Sequence, residues 1–196
     1  MNPDFQHLRY DDYVSMPWKN GAGTTREIAR EPPLSDEFQW RLSLATIAAS
    51  SPFSAYPGYR RSVTLVDGAG FRLTVSGQSP VQLSECGASA LFAGSATTGC
   101  QLINGTSMDL SLMVREPGVI RSVTIERCDS FRSFAAADSA LQAFFCLDQG
   151  LAFAQGEAIV PLALHDTILP DADAGPCDFT TTRPGSRLLR LLWQTG

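Results

Sequence analysis

Imidazole is nearly missing from this chain. Its two histidines, His7 and His165, lie near opposite ends, and neither forms a His-x-His pair. The N-terminal part also lacks an Asp/Glu cluster suited to a hard cation, so no metal and no cofactor is expected. His7 reads as a solvated N-terminal residue and His165, beside Asp166, as a turn residue. Cysteine is sparse and scattered: Cys86, Cys100, Cys128, Cys146 and Cys177 include no Cys-x-x-Cys spacing. That odd, unpaired set argues against a disulfide framework or a structural zinc and suits a reducing compartment, here the cytoplasm. Basic residues number fifteen against twenty acidic ones, a net charge of -5, which argues against a sequence-independent hold on nucleic acid or anionic lipid, so neither nucleic acid nor membrane is expected as a partner. No apolar run is long enough to span a bilayer. Met1 to His7 has neither a basic nor an apolar leader segment, so the mature protein is expected to start at or near Met1. Nucleophilic catalysis lacks a Gly-x-Ser-x-Gly elbow or a Cys–His motif.

What the chain has in quantity is short alternating segments punctuated by twelve prolines and sixteen glycines. Phe38, Trp40, Leu42 and Leu44 alternate with Gln39, Arg41 and Ser43, the period of a strand with one core face and one polar face. Val63 to Val66 and Phe71 to Val75, joined by Asp67-Gly68-Ala69-Gly70, predict a hairpin. Met108 to Arg115 alternates again, and Val119 to Glu126 follows the Pro117-Gly118 turn. Ser139 to Leu147 fits a buried strand or part of a helix. Its position before Asp148-Gln149-Gly150 and Leu151 to Ala154 favours a hairpin opening a second lobe. Ile159 to Leu164 and Leu188 to Trp193 supply further strands, with Asp171 to Pro176 as a connector. Many short strands with frequent turns predict an all-β antiparallel barrel or sandwich. At 196 residues the chain can form one domain or two intimate lobes. The last third is small, so it is expected to share an apolar face with the first lobe.

The chemistry concentrates between Met16 and Ile28. Trp18 sets a flat ring beside the cation Lys19 and the amide Asn20, and Gly21-Ala22-Gly23 then allows a tight turn. In the strand-like stretch that follows, Thr24 and Arg26 share one face while Thr25 and Glu27 share the other. The glycines fit neither dinucleotide nor Walker spacing. Arg41 is the most telling cation. It lies mid-strand between Trp40 and Leu42, where an unpaired buried guanidinium would cost several kcal/mol. It must reach solvent, a carboxylate of the chain, or a bound anion. One arrangement gathers Lys19, Arg26, Arg41 and Arg61 with Asn20 and Thr24 around a carboxylate guest. The plainer one pairs Arg26, Arg41 and Arg61 with Glu27, Glu37 and Asp67 at the sheet surface.

The run from Pro17 to Ile28 resembles the signature of the HutD/Ves family. The resemblance extends through Phe38-Gln39-Trp40-Arg41-Leu42-Ser43, Pro52-Phe53, Pro57-Gly58-Tyr59-Arg60-Arg61, Thr64 to Gly68 and Met108 to Arg115. Where the family usually carries Asn, this chain has Ser111. The resemblance implies a bicupin, two small antiparallel β-barrels packed in one chain. An N-terminal cupin-like barrel holding the ligand pocket is assigned to residues 1–125, and a smaller C-terminal one to 126–196. It also implies a regulatory protein of histidine utilisation that binds a small carboxylate, of the formylglutamate or urocanate kind. In that reading Arg41 and Arg61 clamp the anion, Asn20 and Thr24 hydrogen-bond it, Lys19 and Arg26 add positive potential, and Trp18 forms an apolar wall. The alternative is a metal-free isomerase or hydrolase using Glu27 as base in the same pocket. A homodimer is compatible with the chain, though no residue names an interface.

Overall fold

Alternation and turn chemistry are expressed as nineteen strands in a computed structural model that describes residues 4–136, 140–171 and 174–196. In chain order these are β1 (Phe5–Leu8), β2 (Val14–Pro17), β3 (Gly23–Glu31), β4 (Trp40–Ile47), β5 (Ser51–Phe53), β6 (Tyr59–Gly68) and β7 (Phe71–Val75). Then come β8 (Val81–Leu83), β9 (Ser89–Ala93), β10 (Thr98–Leu102), β11 (Ser107–Arg115), β12 (Val119–Cys128) and β13 (Phe131–Phe134). The last six are β14 (Leu141–Cys146), β15 (Leu151–Gln155), β16 (Ala158–Pro161), β17 (Thr167–Pro170), β18 (Cys177–Thr181) and β19 (Ser186–Gln194). Among the described residues no helix is long and apolar enough to cross a membrane.

The chain divides into two compact units: Val14–Ile120 with Thr195–Gly196, and the described residues of Met1–Tyr13 with Arg121–Gln194. The first contains a six-stranded sheet ordered β2-β3-β4-β11-β6-β9 and a four-stranded sheet ordered β5-β10-β7-β8. All pairings in the six-stranded sheet are antiparallel. Ile47, Val63, Leu65 and Phe92 of the larger sheet pack against Phe71, Leu73, Val75, Leu83 and Cys100 of the smaller one. Period-two alternation points these side chains into one buried layer.

The expected hairpin across Asp67–Gly70 is instead a corner. β6 pairs with β11 and β9, whereas β7 pairs with β10 and β8, so the turn carries the chain from one sheet to the other. Gly68 and Gly70 take φ of 90° and 93° there. A Cβ on Gly70 would stand 2.0 Å from the Leu83 carbonyl oxygen, so glycine is required. The Gly70 amide donates to Ser107 Oγ at 3.0 Å.

The other unit has a five-stranded sheet ordered β1-β17-β14-β19-β12 and a four-stranded sheet ordered β13-β18-β15-β16. It differs from expectation in three ways. The first strand, assigned from sequence to the N-terminal lobe, pairs with β17, Phe5 opposite Pro170 and Leu8 opposite Thr167. The small lobe owns a core: Phe5, Phe134, Phe144, Phe153 and Phe179 cluster with Cys128, Cys146 and Cys177, all buried. Finally, β14 and β15 form no hairpin, because β14 pairs with β17 and β19 while β15 pairs with β16 and β18. Asp148 anchors that crossing by accepting from the Arg187 backbone amide at 2.8 Å and from its guanidinium at 2.9 Å. Ser139, Ala172 and Asp173 of the expected segments lie outside the described residues, as do Met1, Asn2 and Pro3.

His7 is not solvated: its Nε2 lies 2.8 Å from Asp166 Oδ2, and Asp166 also accepts from the Tyr10 and Ala163 amides. The Tyr13 hydroxyl donates to the His165 carbonyl at 2.7 Å, and the His165 ring stacks on Phe145. Burial holds the Tyr13 hydroxyl well above the ordinary tyrosine range.

Candidate functional site

The registers of β4, β11 and β6 decide which side chains share a face. Arg41 on β4 stands beside Met113 on β11, which stands beside Arg61 on β6. In the next row Ser43 is beside Ser111, and beyond it Ala45 is beside Asp109. Two interstrand steps of about 4.8 Å place the two arginines on one face, their backbones about 10 Å apart across the sheet. Their side chains line a cavity of about 440 Å³ within the Val14–Ile120 unit, a volume in the range of small-molecule sites.

The mouth is built by the loop between β2 and β3. The Trp18 amide donates to the Gly23 carbonyl at 2.9 Å and the Gly21 amide to the Trp18 carbonyl at 3.0 Å, closing the turn. Gly21 sits at φ 68°, and Asn20 Oδ1 accepts from the Ala22 amide at 3.0 Å, an Asx turn. At Gly23 a Cβ would lie 2.4 Å from the Thr46 carbonyl oxygen and 3.1 Å from the Trp18 ring, so the indole packs directly over bare backbone. Trp18 Nε1 donates to Thr25 Oγ1 at 2.8 Å, and its ring meets Phe53 edge-on. One ring thus joins the apolar core to the cavity wall.

Five of the seven residues read as ligand contacts from sequence line this cavity: Trp18, Lys19, Asn20, Arg41 and Arg61. Thr24 and Arg26 do not. Thr25 stands opposite Ala45, on the cavity face, which leaves Thr24 opposite Thr46 and Arg26 opposite Leu44 on the other face. The parity within β3 follows from sequence, but the assignment of its two faces depends on pairing with β4.

The arginines differ in their surroundings. Arg61 is 9% exposed, its Nε donates to Ser111 Oγ at 3.2 Å, and its guanidinium lies 4.7 Å from the Phe53 ring centre. Burial pushes its pKa below the ordinary arginine value, with Asp109 opposing that shift. Arg41 lies between the rings of Phe38 and Tyr56, at 5.0 and 5.1 Å, and donates to the Tyr56 hydroxyl at 3.2 Å. Its Nε is buried with no hydrogen-bond partner among the described residues. Among the described residues neither arginine forms an ion pair. The surface pairing considered from sequence occurs elsewhere: Glu27 is forked by Arg30, and Glu37 pairs with Arg115 at 3.2 Å.

Sequence reasoning passed over Phe53 and Tyr56 as cavity residues, and above all Asp109. Asp109 is 1% exposed, and among the described residues neither carboxylate oxygen has a hydrogen-bond partner. The signal was available in the alternation of Asp109, Ser111 and Met113, but only the sheet register places them beneath the arginines. Burial raises the Asp109 pKa to about 7, against an opposing pull from Arg61. Between the ordinary value near 4 and that value, the folded state keeps a proton that the unfolded chain gives up. Stability contributed at Asp109 is therefore greatest at the acid end of this window and declines as pH rises to about 7. Asp109→Asn should remove a decline on the order of 4 kcal/mol at most, read as the difference between wild-type and variant denaturation across pH. A pH-independent difference would show that Asp109 titrates alike in both states.

Among the described residues no group of three or more His, Cys, Asp or Glu is placed to hold a metal ion. The donor set at the cavity, guanidinium, ammonium and hydroxyl, suits an anion instead.

The fold and cavity define a cupin-like all-β protein. At the level of fold alone, a cupin 2 conserved barrel domain protein from Leptotrichia buccalis superposes with TM-score 0.61 at 9% identity, over 97% of this chain and 96% of that one. A model of the HutD family matches residues 10–189, and the chain belongs to that family. HutD from Pseudomonas fluorescens SBW25, solved in a formate condition, is 31% identical with TM-score 0.78, covering 98% of this chain and all of that one. An uncharacterized 21.2 kDa protein in the hutC 3' region of Pseudomonas putida is 44% identical over 109 residues, 55% of this chain and 57% of that protein. Protein Ves of Escherichia fergusonii is 38% identical over 112 residues, 55% of this chain and 58% of Ves. The chain thus spans a little over half the length of the curated relatives it matches.

Proposed function

We propose that the Val14–Ile120 unit binds a small carboxylate, and that the protein is a cytoplasmic regulatory binding protein linked to histidine breakdown, on a bicupin fold with one barrel per unit. One observation carries the reading. Arg41 and Arg61 line a single cavity and make no ion pair among the described residues, in a chain of net charge -5. Arg61 is buried and Arg41 half-buried; an unpaired buried guanidinium is costly, and a carboxylate guest offsets that cost with charge-assisted hydrogen bonds of about 1.5–3 kcal/mol each. The hutC-linked relative and family membership support the link to histidine breakdown. Ser43, Ser111 and Thr25 offer hydroxyls, while Phe53, Tyr56 and Trp18 supply apolar wall, a balance suited to a small acid with an organic part.

The enzymatic alternative has less support, since its base, Glu27, is held by Arg30 and does not line the cavity. Thermal melting against formylglutamate, urocanate, formate and glutamate tests the reading. A ligand at a hundred times its Kd adds about 2.7 kcal/mol, which raises the midpoint by about 5–10 °C in a chain of this size. Four flat titrations would remove the proposal.

A further inference from the structure

Asp109 is a buried carboxylate whose oxygens accept no hydrogen bond from the described residues, on the strand face that carries Ser111 and Met113 into the cavity. Its neighbours on adjacent strands are Ala45 of β4 and Leu65 of β6, which offer no hydrogen bond from their side chains. The groups that act on it electrostatically are few. Arg61 of β6 faces it as the opposing charge. Cys100 of β10 shares the cluster, but burial pushes its thiol up to about 12, so it stays neutral near pH 7. Arg41 and Tyr56 act on Arg61 in turn. Asp109 is thus the internal counter-charge of Arg61, held beyond ion-pair contact.

Resting on the carboxylate reading above, we propose that guest binding is coupled to proton uptake: a carboxylate settling on Arg61 displaces Asp109 as counter-charge, and Asp109 takes a proton from solvent. Two carboxylates cannot both stay ionised cheaply around one desolvated guanidinium. The guest already bonds to the guanidinium, so the carboxylate without hydrogen bonds is the one that protonates. One O–H bond forms on Asp109 and one breaks in solvent water, leaving a hydroxide in bulk solution that the weak buffer neutralises. The site then holds a neutral ensemble of Arg61, guest and protonated Asp109 without moving any strand. Asp109 is a positioning residue in this scheme, acting on the guest through Arg61.

The burial-raised pKa of Asp109 sets the window. Below about pH 6 the carboxyl already carries its proton and binding takes up none. Above about pH 7 each guest brings a proton with it, and affinity falls by up to about tenfold per pH unit.

The test mixes the intact protein with formate at matched pH in weakly buffered solution, reading protons with an indicator and formate binding by calorimetry. Uptake rising toward about one proton per formate near pH 8, absent in Asp109→Asn, is the expected result. An infrared carboxylic-acid band that grows on adding formate to wild type and is missing from Asp109→Asn would locate the proton. Formate binding with no uptake between about pH 6.5 and 8 overturns the coupling and leaves the carboxylate site standing. If neither formate nor the other acids bind at all, both fall. The wild-type measurement decides the matter even if Asp109→Asn does not fold.

Discussion

Arg61→Ala should weaken carboxylate binding by about a hundredfold or more, the loss of two charge-assisted hydrogen bonds of about 1.5–3 kcal/mol each. Lys19→Ala, at the exposed rim, should cost severalfold at most, and that effect should shrink with added salt. The contrast comes from burial: Arg61 is desolvated among Phe53, Phe92 and Ser111, so its field is little screened. Arg61→Ala should also destabilise the fold near neutral pH, because it strands Asp109 without its counter-charge. Adding Asp109→Asn should restore part of that stability while leaving binding weak. Calorimetric titration and denaturation of the same four proteins separate the two effects. Equal affinity in wild type and Arg61→Ala would show that the guest, if any, lies elsewhere.

Phe179→Ala should lower stability by about 3–5 kcal/mol in chemical denaturation. Its ring is fully buried and meets Phe144, Phe153 and Phe134 at centroid separations of 4.8, 5.2 and 5.8 Å. Truncation removes apolar area and leaves a cavity that three rigid rings cannot close. Phe131→Ala, at a ring 58% exposed, should change stability by no more than about 0.5 kcal/mol. Should the two variants cost the same, the aromatic cluster is not what holds this unit together.

The seven residues proposed from sequence show how far pattern reaches. Trp18, Lys19 and Asn20 come together because they are consecutive around one turn, and Arg41 is found because it sits as a cation on the polar face of an alternating strand. Thr24 and Arg26 failed as cavity residues for the same reason that Thr25 succeeded. Alternation says which residues of β3 travel together, but the partner strand decides which group turns inward. The two corrected hairpins have a similar origin. Glycines at Gly68 and Gly70, or Asp148-Gln149-Gly150, announce a change of direction and not the sheet that receives the next strand.

By itself, then, the amino-acid order determined an all-β chain, the positions of most strands, the tight turn at Gly21 to Gly23 and the odd placement of a cation at Arg41. These follow from neighbours a few residues apart, through side-chain alternation and the backbone freedom of glycine. Tertiary structure alone decided that Phe5–Leu8 joins a strand more than 150 positions away, that Arg61 and Arg41 share one cavity, and that Asp109 is buried near Arg61 with no hydrogen bond to its carboxylate from the described residues. The physical reason is that register between distant strands is chosen by what each face must bury, and that choice is made by the whole sheet at once.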